Sequence, residues 1–154
     1  MTKLSIHRHD WVVVCDGRKA FILENQGDER ALDLRMKETR EHPDLSTHAQ
    51  GTDAPGRMHP SVGTARSAVE QTDWHDAAEQ AFVKSLAEDL DVAVRQGSAR
   101  HLIIVAPPRA LGVLRRAYSP ALRTAIGGEI DKDWVKMPIS EIERRLAGTG
   151  GPAN

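Results

Sequence analysis

The side chains best equipped for recognition chemistry in this sequence are arginines. Arg109, Arg115, Arg116 and Arg123 follow closely on an apolar run, and Arg57 and Arg66 stand in a long irregular stretch upstream. A guanidinium donates two parallel hydrogen bonds to a phosphate, so arginines gathered on one surface make an anion-binding face. Arginines on a helix surface are also commonly just solvated, and the sequence leaves both readings open. Carboxylates point less clearly to a site. Two-metal hydrolysis needs several of them converging on the ions. Asp10 and Asp16 only bracket the apolar run Trp11–Val14, and neither that run nor Leu102–Val105 contains an acid. Asp16, followed by Gly17, reads as a turn residue.

Of the seven histidines, His42, His48, His59 and His75 lie in or beside the irregular stretch. Their spacing matches no compact ligand pair and no cysteine stands near them, so they read as solvated loop residues. His7-Arg8-His9-Asp10 reads as a polar lead-in, and no metal or cofactor is expected. No Gly-x-Ser-x-Gly elbow, P-loop or dinucleotide fingerprint occurs. Trp74 is the aromatic residue placed to stack near the long stretch.

The elements that must position these residues follow from periodicity. Trp11–Cys15 is rich in β-branched residues and predicts a strand. Asp16-Gly17 predicts a tight hairpin with glycine at positive φ, and Ala20–Leu23 the return strand. Leu32, Leu34 and Met36 alternate with Asp33, Arg35 and Lys37, the period of a half-exposed third strand. From Thr39 to Thr72 prolines and glycines interrupt any period. Loops of that length in a compact domain are usually functional or disordered.

Asp73 is the expected N-cap of a long helix with Ala78, Phe82, Leu86, Leu90 and Val94 on its apolar stripe, closed by Gly97. Leu102–Ala106 is apolar without alternation and predicts a central strand covered on both faces. After Pro107-Pro108 comes a helix with Leu111, Leu114 and Tyr118 on one face. Ser119-Pro120 opens a short helix, and Gly127-Gly128 is expected to end it. Trp134–Met137 predicts a last strand, and Ser140 with Glu143 a capping box for a last helix carrying Ile142 and Leu146.

The order β-β-β-α-β-α-β-α predicts an α/β fold with a mixed five-stranded sheet and helices on its faces. One domain over residues 10–147 is expected, with flexible termini at 1–9 and 148–154. The 154 residues suffice for one core. A net charge of −1 excludes a global field for nucleic acid, so RNA contact needs a local patch. Cys15, the single cysteine, reads as a buried inert thiol. No signal-peptide pattern and no long apolar run occur, which predicts a cytoplasmic protein without membrane contact. The oligomeric state is not legible.

Several stretches resemble the bacterial host-attachment protein family. They are Trp11–Ala20, Pro55-Gly56-Arg57, Ala65–Glu70, Val105–Arg115 and Asp131-Lys132-Asp133. That resemblance implies a non-catalytic binding protein acting indirectly in attachment to host cells. The element order is also similar to ribonuclease H-like folds and to the middle domain of class-1 peptide release factors of eukaryotes and archaea. In those release factors the loop after the third strand carries Gly-Gly-Gln. The corresponding stretch here holds Gln50-Gly51 and Pro55-Gly56-Arg57 but no Gly-Gly-Gln.

Three functions follow as expectations. The first is the non-catalytic binding protein. The second is a release-factor-like ribosome- or RNA-associated factor that binds through Arg57, Arg66, Arg109, Arg115 and Arg116. The third is a metal-dependent hydrolase or nuclease on a ribonuclease H-like fold.

Overall fold

The computed structural model describes residues 5–42 and 64–150, apart from the side chains of 64–76 and 148–150. Five strands form one sheet: β1 Trp11–Cys15, β2 Lys19–Asn25, β3 Leu34–Glu41, β4 Leu102–Ala106 and β5 Ile126–Asp131. The described helices are α1 Thr64–Arg95, α2 Pro108–Ala117, α3 Pro120–Ala125 and α4 Ile139–Gly150.

The sheet order is β3-β2-β1-β4-β5. The β1–β2 and β2–β3 pairs are antiparallel, and β1–β4 and β4–β5 are parallel. This is the expected mixed five-stranded α/β sheet, in keeping with a release-factor middle domain.

β1 and β4 sit at the centre and are buried along their whole length. Their alternate residues feed two cores. On one face Trp11, Val13 and Cys15 with Leu102 and Ile104 meet Val83, Leu86, Ala87 and Leu90 of α1, and α2 and α3 complete that layer. On the other, Val12, Val14, Ile103 and Val105 meet Trp134, Val135, Ile142 and Leu146. The helical stripe therefore runs through Val83 and Ala87 as well as the expected Leu86 and Leu90, with Phe82 and Val94 at its margin. Gly97, at φ +84°, ends α1 as expected.

Several boundaries differ from the sequence reading. Helix α1 begins at Thr64, which places Asp73 inside it instead of at its cap. No proline or glycine occurs between Gly63 and Gly97, so nothing interrupts the helix upstream of Asp73. β3 starts at Leu34 and runs on to Glu41 through charged residues. An edge strand needs little apolar character when charges pair across it, and Lys37 meets Glu24 and Lys19 meets Glu41, each at 3.5 Å. A register shift opposite Ile22 and Leu23 breaks its alternation.

The last strand is Ile126–Asp131, so Gly127-Gly128 lies within it and does not stop a helix. Ile126 both caps α3 and opens β5. Trp134-Val135 is buried but turns back through a Met137 N–H to Trp134 carbonyl bond of 3.0 Å. Its apolar signal reports core packing without a strand.

Ser140 is inside α4, and the carboxylate of Glu143 accepts the Leu34 N–H at 2.6 Å. That contact ties the start of β3 to α4 in place of a capping box. Within the lead-in, Ile6 is buried in the second core, and Asn25 holds the carbonyls of Ile6 and His7. The described helix α4 also extends past residue 147.

Candidate functional site

β1, β3 and β4 run in the same direction, so their carboxyl ends share one rim of the sheet. From the centre of this rim the chain diverges: β1 turns back to β2 on one side, and β4 leads through α2 and α3 to β5 on the other. In open α/β sheets such divergence leaves a crevice where ligands bind.

The β1–β2 turn is set by Asp16, whose Oδ1 accepts the N–H groups of Arg18 at 2.8 Å and Lys19 at 2.9 Å. This is the turn chemistry expected of Asp16. Gly17 is not at positive φ. Its role is space, since a Cβ there would lie 2.8 Å from Glu79 Oε1 and 3.0 Å from Glu79 Cβ. Glycine thus lets α1 lean on the turn, and Arg18 meets Glu79 at 3.5 Å. The end of β3 is pinned to the same rim. His42 donates its N–H to the Arg18 carbonyl at 2.9 Å, and its buried ring lies 5.9 Å from that of Phe82.

A pocket of about 230 Å³ opens at this rim. Gly17 comes from the turn, Glu79 and Val83 from α1, and Pro107, Arg109, Ala110 and Val113 from the β4–α2 junction. The sequence signal for this junction was Pro107-Pro108 directly after a buried strand. Glu79 carried no signal, because it lies off the apolar stripe and gains meaning only from the turn that α1 packs against.

Of the arginines singled out in the sequence, Arg109, Arg115 and Arg116 are exposed on α2. Arg115 is engaged: it donates from Nε at 2.9 Å and Nη2 at 2.6 Å to Glu129 Oε1 on β5. Tyr118 donates its hydroxyl to the other oxygen of Glu129 at 2.9 Å. Burial and this bond raise the Tyr118 hydroxyl well above the usual phenol range, and the Glu129 carboxylate raises the Arg115 guanidinium. Arg123 lies over the Tyr118 ring at 5.5 Å and donates to the Arg115 carbonyl at 3.2 Å. Glu129, the centre of this cluster, was missed in the sequence because it belongs to the strand that the glycine pair concealed. Arg57 lies outside the described residues, as do His48, His59 and most of the long stretch. Arg66 lies on α1, with its side chain, like those of Trp74 and His75, outside the described set.

The opposite rim holds the acid and histidines of the lead-in. Asp10 is buried and accepts the His7 N–H at 2.9 Å, with His7 and His101 imidazoles 3.6 and 3.9 Å from its oxygens. His9 adopts φ 75°, and its Nδ1 is 2.9 Å from Glu24. Asp10 and Asp16 stand at opposite ends of β1, roughly 20 Å apart at a strand's rise of ~3.3 Å per residue, so these two do not share one metal centre. Among the described residues no group of three or more His, Cys, Asp or Glu side chains is arranged to hold a metal ion. Also among them, no helix is long and apolar enough to cross a membrane.

A family model described as Bacterial archaeo-eukaryotic release factor family 12 matches residues 9–146. No curated protein matches the chain. The matched description names release factors, so of the resemblances read in the sequence it supports the one to the release factors.

Proposed function

The chain belongs to bacterial archaeo-eukaryotic release factor family 12, and on that premise we propose that it is a ribosome- or RNA-associated factor that binds without catalysing peptide release. The observation that carries this reading is the family match across nearly the whole chain. Two features support it. The stretch between β3 and α1 departs from the rim where His42 is pinned, the connection that bears Gly-Gly-Gln in the release factors this fold resembles. The chain contains no Gly-Gly-Gln, so it lacks the group expected to act on peptidyl-tRNA. In this reading it works in the cytoplasm, where its partner is.

Contact is made through a local patch, because the net charge of −1 supplies no general attraction. Arg109 and Arg116 on α2 are its described members. Arg115 contributes when Glu129 releases it; Arg57 and the side chain of Arg66, the further members read from the sequence, lie outside the described residues. The test is co-sedimentation with ribosomes and with RNA at two salt concentrations, for the wild type and for a variant combining Arg57→Ala, Arg115→Ala and Arg116→Ala. Each phosphate contact removed should flatten the log–log salt dependence by about 0.7–0.9. A wild type that fails to co-sediment at low salt overturns the proposal, and equal binding by the variant removes the arginine patch from it.

A further inference from the structure

The pocket at the carboxyl rim combines apolar walls with one acidic and one basic side chain. Val83, Pro107, Ala110 and Val113 form the walls, and Glu79 and Arg109 supply the charged groups. The absence of a side chain at Gly17 lets the Glu79 carboxylate rest on the turn, where Arg18 contacts it at 3.5 Å. Both partners of that ion pair are partly exposed, so a ligand can exchange for it at small cost.

We infer that this pocket receives a guanine base. Guanine carries two N–H donors side by side on one edge, which a carboxylate accepts together. It carries the O6 and N7 acceptors on the adjoining edge, which a guanidinium meets with two donors. Glu79 and Arg109 are that pair. Adenine would turn the N1 lone pair toward the Glu79 carboxylate and lacks the O6 acceptor. The four apolar residues offer the faces against which a flat ring packs. The volume, about 230 Å³, is below the ~300–1,000 Å³ of sites for larger ligands and suits one base. The base comes from an RNA strand, and to that extent the inference rests on the RNA-associated reading; a free nucleotide presents the same chemistry.

The experiment is an NMR titration of the full chain with guanosine, inosine and adenosine 5′-monophosphates, followed by guanosine-containing and all-adenosine RNA hexamers. Guanosine monophosphate should shift the amides of Gly17, Arg109, Ala110 and Val113. Inosine monophosphate, without the 2-amino group, should bind several-fold more weakly, and adenosine monophosphate about tenfold more weakly. Glu79→Gln should keep the amide spectrum of a folded chain and lose the guanine preference. Gly17→Ala, which pushes Glu79 off the turn, should lose it too. Tighter binding of the guanosine hexamer than of the monophosphate identifies a strand as the source, and equal binding identifies a free nucleotide.

Equal affinity for the adenine and guanine ligands, shifts located elsewhere, or an unchanged preference in Glu79→Gln overturns the inference. Its failure is separable from that of the RNA reading. RNA co-sedimentation without guanine shifts at the rim removes the pocket alone, and guanine binding without co-sedimentation supports the pocket and removes RNA as its source.

Discussion

Replacing Asn25 by alanine should cost this domain a large part of its stability. The side chain is fully buried at the end of β2 and links three segments. Its Oδ1 accepts the N–H groups of Gly27 at 3.0 Å and Asp33 at 2.9 Å, and its Nδ2 faces the carbonyls of Ile6, His7 and Asp28 at 3.1–3.4 Å. Two donors on one side and three acceptors on the other fix the amide orientation. In Asn25→Ala both N–H groups lose their acceptor, and because each is only part-buried the loss costs about 1–1.5 kcal/mol apiece. Nδ2 has only two hydrogens for three carbonyls, so its loss adds about 1–2 kcal/mol. The total is roughly 4 kcal/mol, against the ~5–15 kcal/mol that holds a typical domain. Urea unfolding should show the midpoint falling by about 2 M for a slope near 2 kcal/mol per M. Asn25→Asp keeps the acceptor and turns a second anionic oxygen toward the carbonyls. It should therefore be destabilised at neutral pH and recover in part as the carboxyl protonates. A loss below ~1 kcal/mol in Asn25→Ala would refute the reasoning, and would mean that water or a relaxed loop meets those groups.

Burial pushes the Cys15 thiol up to about 12, so it should react with a thiol reagent at pH 8 only on unfolding; equal rates in native and denatured protein would contradict this. The His9 hydrogen bond, followed by Lys37, holds the Glu24 carboxyl below the usual range. A depressed carboxyl stabilises the fold above its unfolded value, near pH ~4.3, and that contribution disappears as pH falls through the lower folded value; Glu24→Gln should flatten the acid limb of stability in that window, and an unchanged limb counts against the pairing. Glu129→Gln should cost about 1 kcal/mol through the Tyr118 and Arg115 bonds. It should also strengthen RNA co-sedimentation at fixed salt by freeing one positive charge, and weaker co-sedimentation would exclude Arg115 from the contact surface.

What the sequence revealed depended on whether a segment's signal was its own or borrowed from its neighbours. β1 and β4 declared themselves because strands buried on both faces must be apolar throughout, and Val12–Val14 and Ile103–Val105 are. Gly97 and Ser119-Pro120 were legible because a left-handed terminus and a helix start have local chemistry. β5 was not legible: its hydrogen bonds come from β4, and Gly127, Gly128 and Glu129 reveal nothing of that pairing alone. Trp134-Val135 misled for the converse reason, since burial in a turn and burial in a strand demand the same apolar residues. The arginines of α2 were identifiable by type, but the Glu129 that holds Arg115 was not. The pocket was still less visible, because the parallel pairing of β1 with β4 brings Gly17 to Arg109 and only the packing of α1 on the turn adds Glu79.

On the reading proposed above, the two rims of the sheet divide structural from recognition roles, and the division follows from how the chain crosses each one. At the rim with Asp10, the lead-in is tied to the β2–β3 connection by bonds that close on one another: His9 to the Asn25 carbonyl, Asn25 to the Asp10 carbonyl, and Gln26 to the Asp33 carbonyl. Such groups are committed to the fold. Moving any of them for a ligand leaves buried polar atoms unmet, which makes a binding role there costly. At the other rim, Asp16 satisfies its turn with one oxygen, Pro107-Pro108 starts α2 without a side-chain cap, and Arg18 and Glu79 meet in a partly exposed pair. These contacts can be exchanged without unmaking a core. Arg109, at the start of α2, lines the pocket at this rim beside Glu79. Substitutions at Arg109, Glu79 or Gly17 should alter binding far more than stability, whereas those at Asn25 or Ile6 should do the reverse.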